Sequence, residues 1–98
     1  MTTDRDLHVY TGTDVLAPPG ELLEEELAAR GISQKELANQ MGRPPQAINE
    51  IIRGKKALTA KTALQLERAL GIPAYLWVRL EGEYRLALAK RQLADRAS

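Results

Sequence analysis

The sequence predicts an all-α fold of five helices. Apolar residues recur at helical spacing in five segments, and Gly, Pro, Ser or Thr residues separate each segment from the next. The chain has one Trp, three Tyr and no Phe, so aliphatic side chains must fill the core, which suits helices better than strands. Within residues 33–59, two segments meet at one glycine, a pattern typical of a helix-turn-helix. A chain of 98 residues is expected to form one domain.

Residues 1–17 show no helical period. The run Leu7–Thr11 could form a short strand, and a turn follows it. Because termini without anchoring apolar residues usually stay loose, we expect a flexible N-terminal arm over residues 1–17 and a helical domain over residues 18–94. The arm could also become ordered on contact with a partner.

The first helix is predicted from about Glu21 to Arg30, after the break at Pro18-Pro19-Gly20. Its inner stripe consists of Leu22, Leu23 and Leu27. The acidic run Glu24-Glu25-Glu26 is interpreted as a solvated face, since three consecutive carboxylates on a helix point in different directions and cannot work as a catalytic pair.

The second and third helices form the predicted helix-turn-helix. Ser33 and Glu36 have the spacing of a capping box at the start of the second helix, and Gly42 can take the positive φ that a sharp turn needs. The third helix is predicted to begin at Pro44-Pro45 and to end at Arg53-Gly54. The side chains expected to point inward and hold the angle are Leu37, Met41, Ile48 and Ile51.

The outward side of the third helix is polar, with Gln46, Asn49, Glu50 and Arg53. A helix fits the DNA major groove, and amide and guanidinium groups match its donor and acceptor pattern. Lys55 and Lys56 follow in a loop that would lie beside the DNA backbone. The sequence therefore predicts that the third helix reads DNA.

The fourth helix is predicted from its N-cap Thr59 to Leu70, and the fifth follows Pro73 and frays from about Arg91. The fifth helix carries an apolar stripe of Trp77, Leu80, Tyr84 and Leu88. Two interpretations of this stripe stay open: it packs into the core of one chain, or it forms the interface of a dimer.

Charge is unevenly distributed although the net charge is only +1. Residues 1–31 have seven acidic and two basic side chains, whereas residues 32–62 have six basic and two acidic ones. The basic segment coincides with the predicted helix-turn-helix, as binding to phosphates requires. A solvated surface without a partner is the alternative explanation.

Several kinds of function are disfavoured by composition. The chain has no Cys and one His, His8, so we expect no disulfide, metal site, catalytic residue or cofactor, and no enzyme activity. The first residues lack a signal-peptide pattern, and no apolar run reaches the ~20 residues of a membrane span. We therefore expect a cytoplasmic protein that does not contact membranes.

These motifs resemble the lambda-repressor-like (XRE) helix-turn-helix family, and within it the HigA-type antitoxins, over residues 19–88. The resemblance is carried by Ser33-Gln34-Lys35-Glu36-Leu37-Ala38 and by Ile48-Asn49-Glu50-Ile51-Ile52-Arg53-Gly54-Lys55. The resemblance is narrowed to the HigA-like branch by Pro19-Gly20-Glu21 and by the segment from Trp77 to Tyr84.

The resemblance implies a five-helix homodimer that binds a palindromic operator in double-stranded DNA, represses its own operon and neutralises a HigB-like toxin that cleaves messenger RNA. It places Gln34 on phosphate, the start of the third helix at the groove and the following loop on the flanking backbone. The residues expected to bind DNA are Gln34, Lys35, Arg43, Pro45, Gln46, Asn49, Glu50, Arg53, Lys55, Lys56 and Thr59.

Three residues depart from the family pattern. Arg43 stands where an aliphatic residue is usually buried, so it must extend outward or contact phosphate. Pro44 replaces a Ser or Thr cap, and Pro45 lacks a polar group where a base reader often lies. Two alternatives therefore stay open: a regulator of this family without a toxin partner, and a protein-binding module with weak affinity for DNA.

Overall fold

The computed structural model describes residues 18–97, and over this range the chain forms five α-helices and no strand. This confirms the predicted all-α, five-helix fold. The predicted arm over residues 1–17, with the possible strand Leu7–Thr11, lies outside the described residues. The helices are α1 (Pro19–Arg30), α2 (Gln34–Met41), α3 (Pro45–Ile52), α4 (Ala60–Leu70) and α5 (Ala74–Ala97).

Side-chain oxygens cap α2 and α4 as the sequence predicts. The Ser33 hydroxyl accepts a hydrogen bond from the Glu36 amide at 3.0 Å, and the Ser33 amide donates to the Glu36 carboxylate at 2.8 Å. At α4, the Thr59 hydroxyl accepts from the Thr62 amide at 3.2 Å. Each cap satisfies an amide that has no partner within its own helix.

Prolines begin the other two helices of the N-terminal half. Pro18 and Pro44 occupy the N-cap positions of α1 and α3 in extended conformations, without a side-chain cap hydrogen bond. The prediction that the first helix starts at about Glu21 is wrong, because α1 already begins at Pro19. Proline is tolerated at this position since its missing N–H would have no partner there.

The core lies where all five helices meet, and Trp77 of α5 is its largest fully buried side chain. The Trp77 indole nitrogen has no hydrogen-bond partner among residues 18–97. Every side chain predicted to hold the helix-turn-helix angle belongs to this core, which comprises Leu23, Leu27, Leu37, Ala38, Met41, Ile48, Ile51, Ile52, Leu58, Ala63, Leu66, Leu70 and Trp77.

α1 crosses the end of α3 at very short distance. A Cβ atom added to Gly20 would lie 2.5 Å from the carbonyl oxygen of Ile52 and 2.7 Å from its Cα. Only glycine allows the two backbones to approach this closely. Gly20 therefore helps to set where the outward face of α3 points.

The last helix is longer than the sequence analysis expected. α5 has 24 residues and continues to Ala97, so the prediction of fraying from about Arg91 is wrong. No Gly or Pro follows Gly82 within α5, and residues 83–97 consist mainly of good helix formers. Ion pairs Arg79–Glu83 and Arg85–Glu81, at 3.2 and 2.6 Å, add to the stability of the helix. None of the helices described combines the length and apolar content needed to cross a membrane.

Candidate nucleic-acid interface

The turn between α2 and α3 is closed by backbone hydrogen bonds. Gly42 has φ 68, and its amide donates to the Asn39 carbonyl at 3.2 Å, while the Arg43 amide donates to the Ala38 carbonyl at 2.9 Å. The positive φ reverses the chain within a few residues, which only glycine does at little cost. This turn fixes the start of α3 relative to α2.

α3 is strongly amphipathic, and its two sides have different tasks. Ala47, Ile48, Ile51 and Ile52 are buried against the other helices. The opposite side carries the four side chains that the sequence predicted to face outward. Gln46 and Arg53 are exposed, and Asn49 and Glu50 are half-buried.

Both amide side chains of α3 form hydrogen bonds that sequence analysis missed. The Asn49 Nδ2 donates to Gln34 Oε1 of α2 at 3.4 Å, and the Gln46 Nε2 donates to Glu50 Oε2 at 3.5 Å. Both bonds are long, and the first joins the two helices of the motif. It brings together the residue expected on phosphate and a residue expected at the bases.

Arg43 has an interhelical partner that sequence analysis missed. It is half-buried, and its Nε donates to Oε1 of Gln65 on α4 at 2.8 Å. The guanidinium therefore ties the turn to α4 through a charge-assisted hydrogen bond. Pro44 and Pro45, which follow it, are both exposed.

The loop after α3 is folded back onto the end of the helix. The amides of Lys55 and Lys56 both donate to the Glu50 carbonyl, at 2.9 and 3.3 Å. Both side chains are exposed, as is that of Lys35 on α2. Together with Arg53 they form a cationic rim beside the polar side of α3, and none of these cations is ion-paired within residues 18–97.

Thr59 and Glu36 both take part in helix capping. The Thr59 hydroxyl, which was expected on the DNA backbone, caps α4 and lies 3.1 Å from the Thr62 hydroxyl. The hydrogen bond from the Ser33 amide, followed by that with the Ser33 hydroxyl, holds the pKa of the Glu36 carboxyl below its ordinary value. Glu36 is therefore ionised at neutral pH near the N-terminus of α2, where the helix dipole favours negative charge.

The apolar stripe of α5 is buried to different extents along the helix. Trp77 is fully buried, so it belongs to the core of one chain and cannot contact a second. Leu80, Tyr84 and Leu88 are half-buried and lie outside the core cluster. Sequence analysis missed the large apolar side chains exposed on the outer side of α4 and α5, which are Leu64, Tyr75, Val78, Leu86 and Leu93.

Known proteins share this arrangement. The family model described as helix-turn-helix (HTH_3) matches residues 23–77. Virulence-associated protein I of Dichelobacter nodosus is 40% identical over 74 residues, which make up 74% of this chain and 68% of that protein. The structure of Pseudomonas aeruginosa antitoxin HigA with the higBA promoter has a TM-score of 0.77 and 30% identity, covering 85% of this chain and 91% of that chain. An addiction module antidote protein of the HigA family from Coxiella burnetii has a TM-score of 0.76 and 29% identity, covering 83% and 89%.

Proposed function

The chain belongs to the XRE-type helix-turn-helix family and has the fold of HigA-family antitoxins, and on that premise we propose that it is a sequence-specific repressor and the antitoxin of a type II toxin–antitoxin pair. The family comprises DNA-binding regulators and antitoxins, not enzymes. The observation that carries the proposal is the polar side of α3 beside a cationic rim. Such a face supplies base readers and phosphate-binding groups on one surface.

In this proposal, α3 enters the major groove with Pro45, Gln46, Asn49 and Glu50 facing the bases. Gln34 and the cationic rim of Lys35, Arg53, Lys55 and Lys56 bind the flanking phosphates. Arg43 and Thr59 support the interface indirectly, by holding the helices in place. Their polar groups are already hydrogen-bonded to Gln65 and Thr62. The remaining guanidinium nitrogens of Arg43 can still reach a phosphate.

The protein acts as a homodimer on a palindromic operator. One short recognition helix reads too few base pairs for specificity, and two-fold symmetry places a second one about one helical turn away. If each protomer neutralises about four phosphates, the logarithm of the association constant falls with the logarithm of salt concentration at a slope of roughly −7 for the dimer.

Fluorescence anisotropy on the DNA upstream of the protein's own reading frame measures this slope. A matched duplex of scrambled sequence serves as the control, and we expect weaker binding to it with a similar slope. Equal affinity for both duplexes, or binding that salt does not change, contradicts the proposal.

The antitoxin role requires a surface that binds the toxin, in addition to the DNA-binding surface. The exposed side of α1 is suited to this. Its acidic side chains Glu21, Glu24 and Glu25 are exposed, while its apolar side faces the core. A toxin that binds the ribosome and cleaves messenger RNA is expected to be basic, so it complements this face. The residues preceding Pro18 are also acidic and could contribute.

Co-expression with the product of an adjacent reading frame tests this role. We expect a basic partner of toxin size to co-purify and to lose its toxicity. If no such frame or complex exists, the protein is a regulator of this family without a toxin. A complex that survives deletion of Met1–Leu16 assigns the contact to the helical domain.

A protein-binding module with weak affinity for DNA is the second candidate function. Pro44 and Pro45 favour it, because they supply no hydroxyl and no amide at the entrance of α3. Micromolar affinity for the upstream DNA together with a tight toxin complex would support the protein-binding module over the sequence-specific repressor.

A further inference from the structure

A tyrosine of α5 lies beside the loop that follows α3. A Cβ atom built on Gly54 would lie 3.9 Å from the hydroxyl oxygen of Tyr84, and equally 3.9 Å from Cβ and Cγ of Pro18. Gly54 directly precedes Lys55 and Lys56, the two lysines that this loop contributes to the cationic rim. The Tyr84 hydroxyl therefore lies at the edge of the surface proposed to bind DNA phosphates.

The Tyr84 hydroxyl is free to bind a ligand. It has no hydrogen-bond partner within residues 18–97. Among the buried and half-buried side chains of this range, only the Trp77 indole nitrogen is enclosed without a hydrogen-bond partner. Tyr84 is one of these half-buried side chains, so its unpaired hydroxyl is open to solvent.

The ring of Tyr84 is restrained by its neighbours. The residue is half-buried, and the Arg85 guanidinium carbon lies 5.1 Å from the centre of the ring. Arg85 is itself fixed by its 2.6 Å ion pair with Glu81, about one turn earlier in α5. A side chain that is already restrained in the free protein loses little conformational entropy when it binds.

A phenol hydroxyl suits a DNA phosphate. Tyrosine is among the side chains that donate hydrogen bonds to phosphate oxygens, and such contacts position a protein on the duplex without reading its sequence. Hydrogen bonds to a charged acceptor are also stronger than those between neutral groups. Neither interpretation of the α5 stripe, as core or as dimer interface, uses this hydroxyl.

We propose that Tyr84 binds a DNA phosphate through its hydroxyl, beside the phosphates bound by Lys55 and Lys56. This inference rests on the proposed function, in which α3 and the cationic rim bind DNA. It adds a phosphate contact from α5, a helix outside the helix-turn-helix.

Tyr84→Phe removes the hydroxyl and keeps the ring. In fluorescence anisotropy, the affinity of the dimer for the upstream DNA and for the scrambled duplex should fall by the same factor, about tenfold. The salt slope should not change, because no charge is lost, whereas Lys55→Met should reduce its magnitude by about 2. Tyr75→Phe, the same change at a tyrosine of α5 that is 72% exposed, is the matched control and should alter neither quantity.

Methylphosphonate substitution of the operator identifies the phosphate. An uncharged methylphosphonate, placed at one backbone position per half-site, removes one of the phosphate oxygens that accept hydrogen bonds. At the contacted position, the wild type and Tyr84→Phe should bind with equal affinity, whereas elsewhere the difference of about tenfold should persist. Thermal unfolding and analytical ultracentrifugation verify that each variant is folded and dimeric.

The outcomes distinguish this inference from the function on which it rests. Equal affinity of the wild type for both duplexes removes sequence-specific repression but not the phosphate contact, and absence of DNA binding removes both. If Tyr84→Phe binds as tightly as the wild type, or loses affinity for the operator alone, DNA binding stands and the phosphate contact is overturned. Dissociation of Tyr84→Phe into monomers would also overturn it, because the hydroxyl would then belong to the dimer interface.

Discussion

At the scale of single residues, the two ways of starting a helix in this chain have different energetics. Ser33 and Thr59 give an oxygen to an otherwise unpaired amide, whereas Pro18 and Pro44 preset the backbone and give none. Losing a hydroxyl cap leaves a donor without its partner, and this typically costs about 1 kcal/mol. Losing a proline cap acts mainly through the unfolded chain.

Ser33→Ala is therefore expected to lower the free energy of unfolding by about 1 kcal/mol, measured by urea denaturation. Ser33→Thr keeps the oxygen and is the control, with a much smaller loss. Equal stability of the alanine variant and the wild type would show that the Ser33 cap contributes nothing.

The other half of the capping box predicts a dependence on pH. Because the folded state holds the pKa of Glu36 below its ordinary value, ionised Glu36 adds stability above the ordinary pKa of a glutamate. This contribution disappears as pH falls through the lowered pKa of the folded state. The stability difference between wild type and Glu36→Gln should be present at neutral pH and vanish in acid. A difference that grows in acid would contradict this assignment.

At the scale of helices, the orientation of α3 depends on a contact at its C-terminal end, away from its polar side. The start of α1 lies directly on the carbonyl groups of Ile51 and Ile52, and Gly20 leaves room for them. Any side chain at this position must push α1 and α3 apart. The outward side of α3 would then tilt relative to α2 and the cationic rim.

Gly20→Ala should accordingly destabilise the fold by on the order of 3 kcal/mol, measured by thermal or urea unfolding. It should also weaken operator binding beyond what the unfolded fraction explains. Gly82→Ala is the matched control: it lies within α5 with nothing near its Cβ position, so it should stabilise the protein by about 1 kcal/mol. If both variants have the same stability, the close crossing is absent in solution.

Features within a single helix could be predicted from the sequence, whereas contacts between helices could not. The Ser33–Glu36 capping box and the core positions of α3 follow from local spacing, and the structure confirms them. The contacts of Asn49 with Gln34 and of Arg43 with Gln65 join residues 15 and 22 positions apart. They depend on the angles between helices, which no local pattern specifies. α5 continues past Arg91 because the residues after Gly82 are mainly good helix formers, a propensity that the expectation of fraying leaves out.

At the scale of the whole molecule, α5 has more apolar surface than one chain buries. Trp77 anchors its first half in the core, while Leu86 and Leu93 remain 57% and 64% exposed on its second half. The proposed homodimer needs an apolar interface, and α5 offers it outside the core cluster. Leu88 is the member of the predicted stripe farthest from Trp77, and it is half-buried.

Leu88→Arg tests whether the second half of α5 joins two chains. Because Leu88 lies outside the buried core, we expect a folded monomer by analytical ultracentrifugation and circular dichroism. Loss of the second recognition helix should then roughly halve the salt slope of operator binding. Leu64→Arg, which changes an exposed leucine on α4, is the control and should remain dimeric. Unfolding of Leu88→Arg would instead assign Leu88 to the core of one chain, and a folded dimer would place the interface elsewhere.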